Sequence, residues 1–201
     1  MQERSTALAT SMRETREWVH ANVLNRAFTS TYTMGTNHDG QELCDSAHPA
    51  GPYGGTYSNL VSADLSEAAL ETALILADGF VDARGLKVKV SGQKLIVPPA
   101  SRFEAERLMA TTMQPGTANN DVNALKDTGM LRQYSVNIYL SDPDAWFIKT
   151  DAEDGLKHFV RRKLKKGMEG DFETGNMRYK CSERGSFGWT DPRGFFATPG
   201  L

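Results

Sequence analysis

The feature that most constrains this chain is its opening helix signal. From Ser5 to Phe28 the apolar residues Leu8, Met12, Val19, Val23 and Ala27 recur at spacings of three, four or seven. Arg13, Glu14, Arg16, Glu17 and Arg26 fall between them on the other side. That period predicts one amphipathic helix. At 1.5 Å rise per residue it would be about 36 Å long. It begins almost at Met1, with no preceding strand or hairpin to pack on it, an unusual start for a domain that stands alone.

After the helix, Thr29 to Leu60 is rich in Gly, Ser, Thr, Asn and Pro and predicts a long irregular loop. Loops of that length inside a domain are usually functional or interaction elements. Asp39-Gly40 and Gly54-Gly55 mark tight turns, with a small hairpin expected between them. Ser66 to Asp78 predicts a second helix. Ser66 caps it, Glu67 sits in the positive first turn, and Leu65 can staple onto Leu70. Leu70, Ala73, Leu74 and Ala77 would be its buried stripe.

Leu86 to Val90 alternates strictly and predicts a half-exposed strand, followed by a Ser91-Gly92 turn and a more buried strand from Lys94 to Val97 that Pro98-Pro99 stops. Ser101 to Thr111 predicts a third helix with Phe103, Leu108 and Met109 inward. Pro115 to Asn123 is polar loop. Tyr134 to Leu140 and Ala145 to Lys149 predict strands separated by the turn signal Asp142-Pro143-Asp144. Leu156 to Gly167 fits helix and strand equally, and the tail from Glu169 to Trp189 reads as extended, with a turn over Phe172 to Asn176. The class is therefore α+β with mostly antiparallel strands.

Bulk properties narrow the function. The 201 residues fit one domain or two shared lobes, and a chain this size can bury roughly 70% of its unfolded surface. A net charge of -2 excludes a strongly basic nucleic-acid binder. Cys44 and Cys181, far apart, do not form a disulfide framework. The N-terminus has no apolar signal-peptide core, and no stretch approaches 18 apolar residues, so no membrane partner is expected.

Three clusters carry candidate chemistry. His38, Asp39, Cys44 and His48 share one loop, and His38, Cys44 and His48 would be the ligands of a metal-dependent enzyme. The Cys-x-x-x-His spacing has no clear second pair, so the preferred reading is residues that pin a loop, with no metal, cofactor or catalytic residue assigned. Lys157, Arg161, Arg162, Lys163, Lys165 and Lys166 form a basic run, and a nucleic-acid-binding module on Lys157–Lys166 is the second alternative. Glu169, Asp171 and Glu173 follow and would cancel much of its field, which favours a solvated face or an inter-subunit ion-pair partner. Pro115-Gly116-Thr117-Ala118-Asn119-Asn120 lacks the Lys-Ser/Thr ending of a phosphate loop.

Several segments taken together resemble the major capsid, or major head, subunit of tailed phages in the Mu-like branch. They include Ala21-Asn22-Val23-Leu24-Asn25, Glu42-Leu43-Cys44-Asp45-Ser46-Ala47-His48-Pro49 and Ala63-Asp64-Leu65-Ser66-Glu67-Ala68. Lys94-Leu95-Ile96-Val97-Pro98-Pro99, Pro115 to Asp121, Asp142-Pro143-Asp144-Ala145-Trp146-Phe147, Met168 to Asn176 and Arg178 to Arg193 complete the series. The resemblance implies a Hong Kong 97-type fold. In it, residues 1–65 supply the spine helix and peripheral-lobe loop, 66–150 the axial lobe, and 151–201 a return strand to the peripheral lobe and a C-terminal tail. It also implies a missing N-terminal arm and extended hairpin, as in a truncated or late-started chain. The implied function is a structural virion protein, not an enzyme, that self-assembles into the icosahedral shell around the phage genome. Its implied partners are copies of itself in pentamers and hexamers, scaffold, portal or decoration proteins, and packaged DNA only indirectly. It would be made in the bacterial host cytoplasm and reside in the virion. Trp146, Phe147, Trp189, Phe195 and Phe196 are expected to supply apolar area to the sheet core or to subunit contacts.

Overall fold

One continuous helix opens the computed structural model, which describes residues 2–32, 39–113, 122–127, 129–131, 133–173 and 175–201. Helix α1 (Gln2–Asn25) runs 24 residues. It stops three residues before the periodicity predicts, because Asn25 is diverted to another segment. Its amide donates to the Tyr139 carbonyl at 3.0 Å, and its Oδ1 accepts from the Ser141 N–H at 3.1 Å. Beyond it, turn bonds such as Ala27 N–H to Leu24 O replace the helical ladder. Burial is greatest toward the C-terminal end: Ala21, Val23, Leu24 and Ala27 are buried, Leu8 and Met12 are half-buried, and Trp18 is 54% exposed.

The loop that follows holds one short hairpin, β1 (His48–Pro49) with β2 (Thr56–Tyr57), paired His48 to Tyr57 and Pro49 to Thr56. Helix α2 (Glu67–Ala77) starts as its sequence predicts. The Ser66 side chain accepts from the Ala69 N–H, and Ala69, Leu70, Ala73 and Ala77 are buried. The alternating run Leu86–Val90 is not a strand. Asp82 accepts from the backbone of Arg84 and Leu86 and closes a tight turn. The returning chain then makes a single bridge, Val81 to Lys87, because no neighbouring strand lies beside it.

The core is built on a four-stranded sheet. Strand β3 (Gly92–Val97) is followed by helices α3 (Arg102–Ala110) and α4 (Ala124–Asp127), then by strand β4 (Gln133–Val136), parallel to β3. Strand β5 (Trp146–Thr150) runs antiparallel to β3 on its other side. The expected strand to Leu140 ends at Val136, where the Asn137 side chain captures the Tyr139 N–H and starts a turn. On α3 the expectation for Phe103 is corrected: it is 71% exposed, and Ala105 faces the core. Two residues are 200° apart on a helix, so these two cannot share a face.

Strands β6 (Leu156–Gly170) and β7 (Met177–Trp189) pair with each other as a long antiparallel ribbon. This settles the helix-or-strand ambiguity of Leu156–Gly167, and the extended tail is its partner. The chain thus carries a long two-stranded hairpin in place of a lone returning strand. The pairing was illegible because the two runs share no turn signature other than the stretch around Asp171. A 3-10 turn at Pro192–Gly194 then leads into β8 (Phe195–Thr198), which joins the sheet beside β5 and gives the order β4-β3-β5-β8. A Cβ at Gly194 would lie 2.6 Å from the Gly155 Cα, so the foot of the ribbon and the last strand touch backbone to backbone.

Alternation along β5 and β8 sends side chains to both faces of the sheet. Trp146, Ile148 and Phe196 join Leu70, Phe80, Leu95 and Val97 under α2 and α3. Phe147, Phe195 and Ala197 face the other way, onto Val23, Leu24, Leu43, Cys44 and Trp189. The result is a sheet covered on both sides, with cores that draw on the start, middle and end of the chain.

Candidate functional site

Buried polar groups hold the Asp39–Leu60 loop. His48 is fully buried, its Nδ1 lies 2.6 Å from Asp39 Oδ2, and its ring stacks on Tyr57. Cys44 points elsewhere, into the cluster with Val23 and Leu24. Burial, and then the nearby Glu42 carboxylate, push its thiol far up from its usual range, which disfavours the thiolate that metal binding or nucleophilic attack requires. His38 lies outside the described residues. Among the described residues no group of three metal-ligating side chains converges. Among the described residues, Cys44 and His48 do not converge, and each is fixed within the loop by its own neighbours.

The residue that organises this loop is one that sequence reasoning missed. Asn59 is fully buried, and its amide donates to the carbonyls of Leu43 (2.8 Å), Pro192 (3.0 Å) and Phe195 (3.1 Å). Its Oδ1 accepts from the Asp45 N–H at 2.9 Å. One side chain thus ties the loop to the end of the chain. Beside it, Arg193 makes a two-oxygen contact with Asp191, donates to the Val81 carbonyl and lies over the Tyr57 ring. The hydrogen bonding to Asp191 raises the Arg193 pKa, and burial, then Asp191, raises that of Tyr57. No local motif flags Asn59, because its partners lie up to 136 residues away.

The five aromatics Trp146, Phe147, Trp189, Phe195 and Phe196 are all at most 2% exposed. They belong to the sheet core and not to the surface. Surfaces available to other molecules include α1 and the ribbon. Trp18 and Val19 on α1, and Phe159, Val160 and Met168 on β6, are exposed. Where the two elements meet, His20 packs edge-on against Phe187 (3.7 Å between centroids) and His158 (5.0 Å). Partial burial, outweighing the pull of Glu17, lowers the His20 pKa. Arg16 and Glu183 approach to 3.9 Å.

The basic run stands on this ribbon. Lys157 pairs with Asp154, and the acids expected to cancel the run gather at the tip, where Asp171 binds Arg178 at 3.0 Å. The stretch Pro115–Asp121 lies outside the described residues, apart from the bridge that closes it at Val122 to Met113.

Comparison with known proteins gives the family. No curated protein matches the sequence. Among solved structures the chain resembles the crystal structure of a virus-like particle from Pyrococcus furiosus, at 13% identity and a TM-score of 0.43, over 69% of this chain. The chain aligned there spans 55% of that protein's length. The family model described as phage capsid protein matches residues 1–198. With nearly every residue inside that match, this chain belongs to the phage capsid protein family Phage_capsid_4.

Proposed function

We propose that the chain is a major capsid, or head, subunit that tiles with copies of itself into an icosahedral shell enclosing a phage genome, in the Mu-like branch and with a Hong Kong 97-type architecture. The observation that carries this reading, beyond family membership, is unsatisfied surface. The molecule exposes 12571 Å², against about 9,400 Å² for a compact monomer of its 22.2 kDa. Excess surface of that order is what several neighbours would cover at standard interface sizes.

In this reading α1 is the spine, α2, α3 and the four-stranded sheet make most of the axial lobe, and the loop with the ribbon makes the periphery. The boundaries are those of residues 1–65, 66–150 and 151–201, with β8 handed back to the sheet. Rings of five and six use one heterologous contact that closes by rotation, so one surface patch must meet a different patch on the next copy. Many weak contacts held together give a durable shell that can still correct errors as it grows. Scaffold, portal and decoration proteins would be further partners, with synthesis in the host cytoplasm and residence in the virion. The role is structural, and no residue is assigned to catalysis.

The test is assembly of the purified full chain. Electron microscopy and sedimentation at near-physiological salt should show rings, sheets or closed particles. A protein that stays monomeric at high concentration, with or without co-expressed upstream sequence, would overturn the reading.

A further inference from the structure

We infer that the ribbon's outer side is a binding face for the phosphodiester backbone of nucleic acid. Between Leu156 and Trp189 the chain has nine Lys or Arg against four Asp or Glu, in a molecule whose net charge is -2. Register decides where those charges go. Directly paired residues of an antiparallel ladder share a side. The pairs His158 with Phe187, Lys166 with Cys181 and Met168 with Tyr179 lie on the side of Phe187, which meets His20 of α1. The pairs Arg162 with Arg184, Lys165 with Ser182 and Gly167 with Lys180 lie on the opposite side.

Two bulges produce that segregation. The register shifts between Val160 and Arg162, and again between Arg162 and Lys165, each adding one residue to β6. Without the first, Arg162 would share a side with His158 and Val160. With both, Arg162, Lys165, Lys180 and Arg184 converge on one exposed face. Among the described residues none of these four has a carboxylate within ion-pair distance, and Arg162 and Arg184 stand directly opposite each other. Like charges so opposed are destabilising unless an anion lies over them.

Charge density selects the occupant. On this face four cations, Arg162, Lys165, Lys180 and Arg184, stand together, while the carboxylate among their neighbours, Glu183, sits on the helix side near Arg16. The span from Arg161 to Gly167 is roughly 20 Å at 3.3 Å per residue. A neighbouring copy could offer acids such as Glu67 and Glu71 of α2, with Asp78 just beyond its end, three carboxylates over roughly 16 Å. Duplex DNA carries one negative charge per roughly 1.7 Å of axis, and a two-stranded ribbon fits its major groove. The arginines add two-pronged hydrogen bonding to phosphate. Exposed Phe159 lies at the near end of the patch. The acids that argued against binding from sequence sit at the tip, with Asp171 already engaged by Arg178.

The binding is a property of the subunit itself; only the source of the phosphates, a packaged genome, rests on the shell reading. The test measures anisotropy of a mixed-sequence 30-base-pair duplex with nuclease-treated full chain across a salt series. The variant R162Q/K165Q/K180Q/R184Q should flatten the slope of log K against log salt by about three to four and weaken binding at low salt at least 100-fold, at roughly 0.9 per phosphate contact. R162K/R184K should keep the slope, which excludes a folding defect as the cause. K87Q/K89Q/R102Q/R107Q, with the same charge change elsewhere, should also keep it. Equal losses in the two four-site variants, or no salt-dependent binding by the native chain, would overturn the inference. So would a ribbon variant that loses self-association while its DNA slope is unchanged, since the ribbon would then dock an acidic neighbour. Particle formation is scored separately by electron microscopy, so a failed shell reading and a failed binding face give different results.

Discussion

At the residue scale, stability is concentrated in a few buried polar and aromatic groups. Asn59 satisfies three carbonyls and one N–H inside the core. Asn59→Leu strands those groups without solvent, each at about 1–3 kcal/mol, so a loss of about 3–5 kcal/mol is expected in urea denaturation. Loss below 1 kcal/mol would show that water replaces the amide. Trp189 is 1% exposed, and its truncation to alanine opens a cavity worth about 3–5 kcal/mol; the checks are denaturation midpoint and soluble yield. Sequence reasoning found Trp189 because large aromatics announce burial by type. It did not find Asn59, because an asparagine in a polar loop looks the same whether it faces water or the centre of the molecule.

At the element scale, the joint that carries a titratable group is where α1 meets the ribbon. It includes His20 against Phe187 and His158, and a surface ion pair that contributes little. The folded His20 pKa lies below 6.5, chiefly through desolvation, so the docked state favours the neutral ring. The unfolded or undocked state then binds the extra proton as pH falls below 6.5. Docking is therefore complete above that value and weakens as the pH drops through and below it. Protection factors of the β7 amides, corrected for the intrinsic pH dependence of exchange, should fall from pH 7.5 to 5, and His20→Phe should remove most of that fall. A second expectation concerns the foot of the ribbon. Gly194→Leu forces a side chain into the Gly155 backbone and should cost more than 2 kcal/mol, read as a lowered melting temperature. Local elements were largely legible: the Ser66 cap, the Pro98-Pro99 stop and the Asp142-Pro143-Asp144 turn act through near neighbours. The alternation of Leu86–Val90 misled, because a strand exists only where a partner strand is present. The ribbon escaped notice for the converse reason, since its register and bulges are set by pairing across the hairpin.

At the scale of the whole molecule, the exposed stripe of α1 should become covered on assembly. Trp18→Glu leaves the buried cores untouched, so the subunit's melting temperature should hold within about 1–2 °C while particle yield falls severalfold. An unchanged yield by sedimentation would place the contact elsewhere. Membership of a phage capsid protein family was readable from the joint order of many weak segments, whereas any faces that meet neighbours are a property of the folded surface. The closure of the sheet has a further consequence in time. Strand β8 pairs with β5 and is bound to Asn59 from the first third of the chain, so the decisive links join distant points. Proteins dominated by such long-range closure fold in milliseconds to seconds rather than microseconds. In the proposed shell, the rate at which competent subunits mature, and not only the rate at which they collide, would then limit how fast a growing lattice can be fed.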